Sequence, residues 1–483
     1  MQVHVAKFPT STTLFWGELM VGDKFGRMLV FAASCLVVAC ADEASSPMDT
    51  DIDGVNGTPG EVEPGDGTDD TVAVGPTFHK DIRPMLDQYC TRCHAEGGQG
   101  GLNFEDPAFV QTLASVMLDR IESREMPPPA ADPNCRDYVG SEYMFVPDAE
   151  IAKFGEWVEA GTPLGVEIEE PELDLPVWKE LADADMTLRM PEPYAPSFDD
   201  EENPANEYRC FILEHDSDEP FYITALHPIV DEASLVHHIV IFKQETRSTG
   251  PYAEGTYDPA VGVNCIDNMR GLSAGMLAGW APGMVPVELP SGTGLKVAPN
   301  EQLIIQMHYY LPGPDAVGRA DRSGYAFRTA DTVERELVMF PLGETGNNAF
   351  TIPAGDPKFT HTSSLEIPAF ITEDITIYTT FPHMHVLGTG YKGWITRPDG
   401  QDDCIVESQQ YDFGNQLTYV LNEPVKVRGG DTVNFSCTWD NSAENPNNFY
   451  DPPQEIRYGE RTDEEMCFAF TVMEVPAWLV NLL

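Results

Sequence analysis

A small all-α domain followed by two all-β antiparallel, jelly-roll-like sandwiches is the multidomain fold class that the sequence predicts, on three observations. The chain has 483 residues, which at roughly 150 per domain gives about three domains. Residues 76–166 space their apolar side chains at three and four, the period of helices. From about residue 205 the texture turns to short β-rich runs punctuated by Gly, Pro and Asn. A stretch of that texture reaching residue 483 is most easily two sandwiches. The boundaries read 76–166 for the helical domain, 167–345 for the first sandwich and 346–483 for the second, with no internal repeat at the sequence level.

The N-terminus precedes these domains with a different composition. From Met20 the chain reads MVGDKFGR, a basic region, then the apolar MLVFAASCLVVA, then Cys40. That apolar run is too short for a bilayer, which needs roughly 20 residues, and suits the core of a signal peptide. The segment Leu36-Val37-Val38-Ala39-Cys40 resembles a bacterial lipobox. The resemblance implies cleavage of residues 1–39, a lipid on the Cys40 thiol, and an exported lipoprotein anchored at the cell envelope, on the periplasmic face or the cell surface. Residues 40–75 carry ten acidic side chains, no Lys or Arg and no aromatic, and read as a disordered tether of roughly 30–35 Å reach. Within it Asp49, Asp51, Asp53 and Gly54 mimic the start of a calcium loop, but Gly60 stands where that loop needs its twelfth-position Glu. No later apolar run is long enough for a transmembrane helix.

With 28 Lys+Arg against 79 Asp+Glu, the formal charge is −51 and the pI about 4.2. A nucleic-acid partner is excluded, because a duplex binder needs a basic face to displace counterions. Anionic headgroups repel such a body too, so membrane contact is expected only through the N-terminal lipid. Loss of residues 1–39 would leave −52, of which −42 lies on residues 76–483. The acidity therefore belongs mainly to the folded body.

In the helical domain, FHKDIRPMLDQYC, PAFVQTLASVMLDRIESREM and DAEIAKFGEWVEAG are the three helical stretches. The first runs into Cys90-Thr91-Arg92-Cys93-His94, a C-x-x-C-H haem attachment motif. Two thiols one turn apart add to the porphyrin vinyls, and the adjacent imidazole reaches the iron. A zinc half-site or a redox dithiol would use the same spacing, but no second C-x-x-C pairs with it. Met126, in Arg124-Glu125-Met126-Pro127-Pro128-Pro129, fits the sixth iron ligand; Met117 and Met144 are the other candidates, Met117 at core spacing. From Phe78 to Trp157 the chain resembles a small class I cytochrome c domain with one covalent haem c.

Eight of the 11 histidines fall in the β-rich part: His215, His227, His237, His238, His308, His361, His383 and His385. His383 and His385, in TFPHMHVLG, share one face if both lie on a strand. His237 and His238, in SLVHHIVIF, would point to opposite faces, so both reach one metal only at a bulge or a strand end. His308, closing QLIIQMHYYL, reads by itself as a core histidine. Imidazole clusters suit copper or zinc, and a thioether such as Met466 shifts the preference toward Cu(I).

LVHHIVIF, IIQMHYYL, FPHMHVLG and DEEMCF occur in the order and approximate spacing of the copper type II, ascorbate-dependent monooxygenases, and residues 205–475 resemble that family. The resemblance implies an electron-transfer copper on His237, His238 and His308 in the first sandwich. It implies an oxygen-binding copper on His383, His385 and Met466, the catalytic set, in the second, with electrons crossing a solvent-filled cleft. The family pattern also implies a Cys437–Cys467 disulfide and, less directly, Cys210–Cys265; Cys135 and Cys404 either pair across domains or stay free. Two copper ions, the haem c, and ascorbate or another upstream one-electron donor are the cofactors expected. The fused haem would replace ascorbate as immediate donor. Where the peptide-hydroxylating members carry polar groups for a carboxylate, this chain has Phe381, Phe468 and Phe470, which implies an apolar pocket. The expected activity is hydroxylation of a C–H bond in a small apolar or amine substrate with dioxygen. The alternative is a haem and copper carrier that hydroxylates nothing.

Overall fold

The computed structural model describes residues 75–480 apart from 97–99, 168–179, 199–205, 247–249, 254, 265–274, 312–315, 344–349, 460 and 462. The signal, Cys40, the tether and Cys265 lie outside the described residues, which fall within one compact unit, Thr71–Leu483. Among them no helix is long and apolar enough to cross a membrane.

The helical part follows its sequence signals. A π turn, Phe78–Ile82, leads into the helix Arg83–Tyr89. Helix Pro107–Glu122 is capped by Asp106, whose carboxylate accepts from Ala108 N–H at 2.9 Å, and has Pro107 at its first position. Val110, Ala114, Met117 and Ile121 make its buried stripe. They pack on Phe78, Ile82, Leu86, Phe154 and Trp157, the last two from helix Asp148–Glu159. Between these helices the chain leaves the helical core: Ala131, Tyr138 and Met144 sit in the main sandwich core. There Asp132 N–H donates to Glu407 O at 2.8 Å, Val139 N–H to Val420 O at 2.9 Å, and Arg136 pairs with Asp403. A Cys135–Cys404 disulfide fixes this strap, so these cysteines pair across domains.

The first sandwich sets a five-stranded sheet, in the order Val263–Asn264, Asn206–Leu213, Glu301–Tyr310, Val236–Glu245, Met276–Trp280, against part of a nine-stranded one. The second sets a four-stranded sheet, Phe359–Glu366, Thr432–Trp439, Gly388–Thr396, Asp402–Ser408, against the rest. The nine-stranded sheet is therefore shared, which two separate antiparallel sandwiches do not anticipate. Its seam is Thr293–Val297 beside Arg335–Gly343, a parallel contact of three residue pairs. Arg335–Gly343 pairs along seven residues with Phe468–Glu474. Strand Arg335–Gly343, ahead of residue 346, thus joins the second sandwich's strands along most of its length, because strand order is set by partners far away in sequence.

Candidate metal centres

The first histidine set is built by strand register. Val236–Glu245 pairs with Glu301–Tyr310 so that His238 faces His308, and the register slips between Val236 and His238. That bulge leaves His237 out of the ladder and turns it to its neighbour's side. One ring nitrogen from each of His237, His238 and His308 lies within 4.8 Å of the other two. His308 Nδ1 and His238 Nδ1 are 3.2 Å apart, close to the roughly 3.3 Å separating two ligands placed about 2.0 Å from a tetrahedral metal. His308 Nε2 donates to Asn206 Oδ1 at 2.8 Å, and the His238 ring donates to the Gly414 carbonyl. The Nδ1 atoms of His238 and His308 face each other, which makes Nδ1 the ligating atom of each. His237 Nδ1 is buried with no hydrogen-bond partner. Tyr208 stacks on His308 at 4.1 Å and 7°. Three converging nitrogens, one of them orphaned, fit a copper ion.

The second set owes its geometry to a turn. Only His383 belongs to a strand, Ile375–His383; His385 lies beyond its end, so strand alternation does not bring the pair together. Glu465 does. Its carboxylate, wholly buried, accepts from His385 N–H and Leu387 N–H at 2.8 Å each, from Trp439 Nε1 at 2.9 Å and from Met466 N–H at 3.3 Å. One side chain thus fixes the turn carrying His385 and the start of the Met466 segment, which the Cys437–Cys467 disulfide braces. His383 Nδ1 donates to Gln416 Oε1 at 2.6 Å and His385 Nδ1 to Glu464 O at 3.0 Å, leaving Nε2 as each ring's ligating atom. The rings lie 5.3 Å apart at 88°. Two such imidazoles, with the buried Met466 in the same cluster as the Phe381, Phe468 and Phe470 rings around His383, fit a copper that cycles through Cu(I).

Phe381, Phe468 and Phe470 surround His383 at 6.3, 5.5 and 6.4 Å between ring centres and are almost fully buried. They form a packed apolar wall that joins Met466 and first-sandwich residues such as Val240 and Ile304 in one cluster. Phe381 lies so close to Gly279 that any side chain there would collide with its ring, at 2.0 Å. Phe413 lies 6.4 Å from His238 and 5.8 Å from His385 between ring centres. Both sets therefore sit within reach of one aromatic ring.

Burial keeps these imidazoles neutral, as metal ligation requires. It lowers His383 to about 4 and, with a neighbouring imidazole, His385 and His238 to about 3; His308 falls well below its ordinary value and His237 falls too. A histidine depressed in the fold but ordinary in the unfolded chain contributes stability above pH 6.5, lost as pH falls through the folded value. Glu465, raised by burial to about 7, opposes this with one group against five. The metal-free protein's melting temperature should therefore fall from pH 6.5 to 5, before ordinary carboxylates protonate. A flat profile across that window, read by calorimetry, would count against neutral buried rings.

His215 Nε2 donates to Glu301 O, His227 packs on Trp280 and His361 on Phe350, so none of these joins a metal set. Cys210 is disulfide-bonded; its expected partner Cys265 is outside the described residues.

The C-x-x-C-H segment faces the first set. Cys90 and Cys93 are in no disulfide, and burial pushes the Cys90 thiol up to about 12. They line a mostly apolar cavity of about 690 Å³ together with His94 and Met126. His94 Nδ1 is buried without a hydrogen-bond partner, and its ring stacks on Phe104 at 4.3 Å. Met126 is brought to the same cavity by a turn at Arg124, whose φ of 61° is held by its guanidinium on Val146 O and Asp148. Met117 also lines the cavity but packs into the helical core, and Met144 is in the sandwich core. Two unbridged thiols, an orphaned imidazole nitrogen and a thioether around one apolar space fit a haem c. The cavity's far wall is Leu235, Val236, His237 and Gly414 from the copper body.

Sequence reasoning missed Glu465, Gln416, Gly414, Phe413 and Asn206. Gly414 has no room for a side chain: a Cβ would come within 2.5 Å of the His237 ring. Gly414→Ala should push His237 aside and lose the first copper while the second remains, measured as copper per chain and by the surviving EPR signal.

Comparison with known proteins agrees with this geometry. Residues 195–314 match the family model of the copper type II ascorbate-dependent monooxygenase N-terminal domain, and residues 338–474 that of the C-terminal domain. Dopamine beta-hydroxylase of Bos taurus is 26% identical over 247 residues, covering 48% of this chain and 39% of that protein. The Rattus norvegicus enzyme is 25% identical over 294 residues, 57% of this chain and 44% of that protein. DBH-like monooxygenase protein 2 of Mus musculus is 24% identical over 263 residues, 52% and 40%. The chain thus spans about two fifths of the length of these curated relatives. With both domain models matched in order over more than half of its residues, the chain belongs to the copper type II ascorbate-dependent monooxygenase family.

Proposed function

We propose that this chain is a copper-dependent monooxygenase that hydroxylates a C–H bond of a small apolar or amine substrate with dioxygen, taking its electrons through a haem c held by Cys90, Cys93, His94 and Met126. The observation that carries this reading is the double placement of His237. It belongs to the first metal set and is also a wall of the haem cavity. Copper would supply single-electron storage at both sets and dioxygen activation at His383, His385 and Met466.

The chain's own residues prepare that chemistry. The cluster of Phe381, Phe468, Phe470 and Met466 excludes water from one side of His383 and favours an apolar substrate face over a carboxylate. A second cavity, of about 890 Å³, is lined by His237, His308, Phe413 and Phe449, with Glu125 and Asp412 as its charged groups. Negative lining with aromatic walls suits an amine with an apolar body, in keeping with relatives whose name is dopamine beta-hydroxylase. The Cys135–Cys404 strap supports a fixed haem donor. Export and a lipid on Cys40 complete the reading, since haem attachment and disulfides belong to an oxidising compartment.

The test is metal and haem stoichiometry on the anaerobically reduced protein, followed by oxygen uptake with phenethylamine, a fatty amide and an acylglycine. Two coppers, one haem and uptake on the amine or the amide, abolished in His383→Ala, is the expected result. Uptake on the acylglycine alone, or zinc in both sites, would overturn the proposal.

A further inference from the structure

The 412–416 loop, between strands Asp402–Ser408 and Tyr419–Val427 of the second sandwich, reaches both histidine sets and the segment that carries Met126. Its Gly414 carbonyl accepts from the His238 ring, and its Cα lies against His237. Phe413 stands between His238 and His385. Gln416 donates from Nε2 to the Phe413 carbonyl at 2.9 Å and accepts on Oε1 from His383 Nδ1 at 2.6 Å. Asn415 Nδ2 donates to Pro129 O at 2.9 Å, in the segment that carries Met126. Traced atom by atom, a continuous path runs from the His238 ring to the Gly414 carbonyl, through the peptide link to the Phe413 carbonyl, across the Gln416 amide, to the His383 ring. Its two Gln416 hydrogen bonds, at 2.9 and 2.6 Å, are part-buried and of ordinary or short length.

We infer that this loop is the electron bridge between the two metal sets, with Gln416 its connecting residue and Phe413 the ring that keeps water out of the gap. The inference rests on the two-copper reading of the proposed function and deepens it by naming a route. One electron leaves the His237, His238 and His308 site, which is oxidised, and arrives at the His383, His385 and Met466 site, which is reduced. No bond is made or broken, and each N–H in the path keeps its proton. Tunnelling through bonds and hydrogen bonds decays more slowly than through water, so a bonded path of this length outcompetes a solvent gap. Gln416 acts through His383 and is a positioning residue as well as a link, and the two roles are separable. Gln416→Glu keeps an acceptor for His383 Nδ1 but has no N–H for the Phe413 carbonyl. Gln416→Leu removes both contacts.

The experiment needs neither substrate nor turnover. The oxidised, copper-loaded full chain is mixed anaerobically with one reducing equivalent of dithionite, and freeze-quench EPR follows how fast the two copper(II) signals reach their final ratio. In the unmodified protein that rate should be independent of protein concentration, because the transfer is intramolecular. In Gln416→Glu, with both copper signals present and stoichiometric, it should slow severalfold. Gln416→Leu should slow it at least as much. If Gln416→Glu equilibrates as fast as the unmodified protein with both coppers bound, the bridge is overturned. Absence of hydroxylation with any substrate would sink the proposed function while leaving this rate measurable, so the two failures are distinct.

Discussion

Glu465→Ala should abolish copper binding at the His383, His385 and Met466 set and destabilise the chain by about 3–5 kcal/mol, the sum of several stranded donors after partial relaxation. The carboxylate is the acceptor for two backbone N–H groups of the His385 turn, for the Trp439 indole and for Met466 N–H, all in a dry core. Alanine would strand those donors at about 1–3 kcal/mol each before relaxation. The damage is local as well as global. Without its acceptor the turn after His383 loses the constraint that points His385 inward, and Met466 loses its anchor beside Cys467. Glu465→Gln keeps the shape and one acceptor oxygen and should cost about half as much. Urea denaturation and copper per chain read both effects. A Glu465→Ala protein with an unchanged midpoint and two coppers would refute this role.

The second large effect is expected from the strap. The Cys135–Cys404 disulfide closes 269 residues of sequence, and restraint of so long a loop is worth about 3–5 kcal/mol in the unfolded chain. Replacing both cysteines with serine should lower the melting temperature and loosen the helical part from the copper body. Other contacts remain, among them Arg136 on Asp403, the bridge between Tyr138 and Leu421, and Arg92 Nη1 on Gly283 O at 3.3 Å. The haem cavity takes its far wall from the copper body, so the double variant should expose the bound haem to external reductants. Its reduction by an added dye should accelerate while its transfer to copper slows. Unchanged rates for both would show that the disulfide has no part in holding the haem module.

His237, His238, His308 and His383 were legible in the sequence because they sit in strands with a strong apolar pattern. The His237 and His238 pair demanded a bulge, and the register slip between Val236 and His238 supplies it. The reason for the His383 and His385 pair was misread, since the strand ends at His383 and the turn is made by a carboxylate 80 residues away. Glu465, Gln416 and Gly414 carry no periodic signal; they lie in polar loops, and their roles exist only through distant partners. The same locality explains the seam. Arg335–Gly343 looks like a strand in isolation, but nothing near it reveals that it pairs with Phe468–Glu474 and lies parallel to Thr293–Val297. Phe381, Phe468 and Phe470 were recognisable as an apolar substitution, but whether they line a space or fill one depends on Gly279 and the opposite sandwich.

The claim that a haem feeds a two-copper hydroxylase within one chain is tested most directly by stopped-flow absorbance of the haem. The protein, carrying haem and both coppers and fully reduced without oxygen, is mixed with dioxygen and phenethylamine, and the same is done for His237→Ala. The account predicts rapid haem reoxidation in the unmodified protein and its near loss in His237→Ala, with haem content unchanged. Haem that stays reduced in the unmodified protein, or reoxidises equally in both, would contradict it.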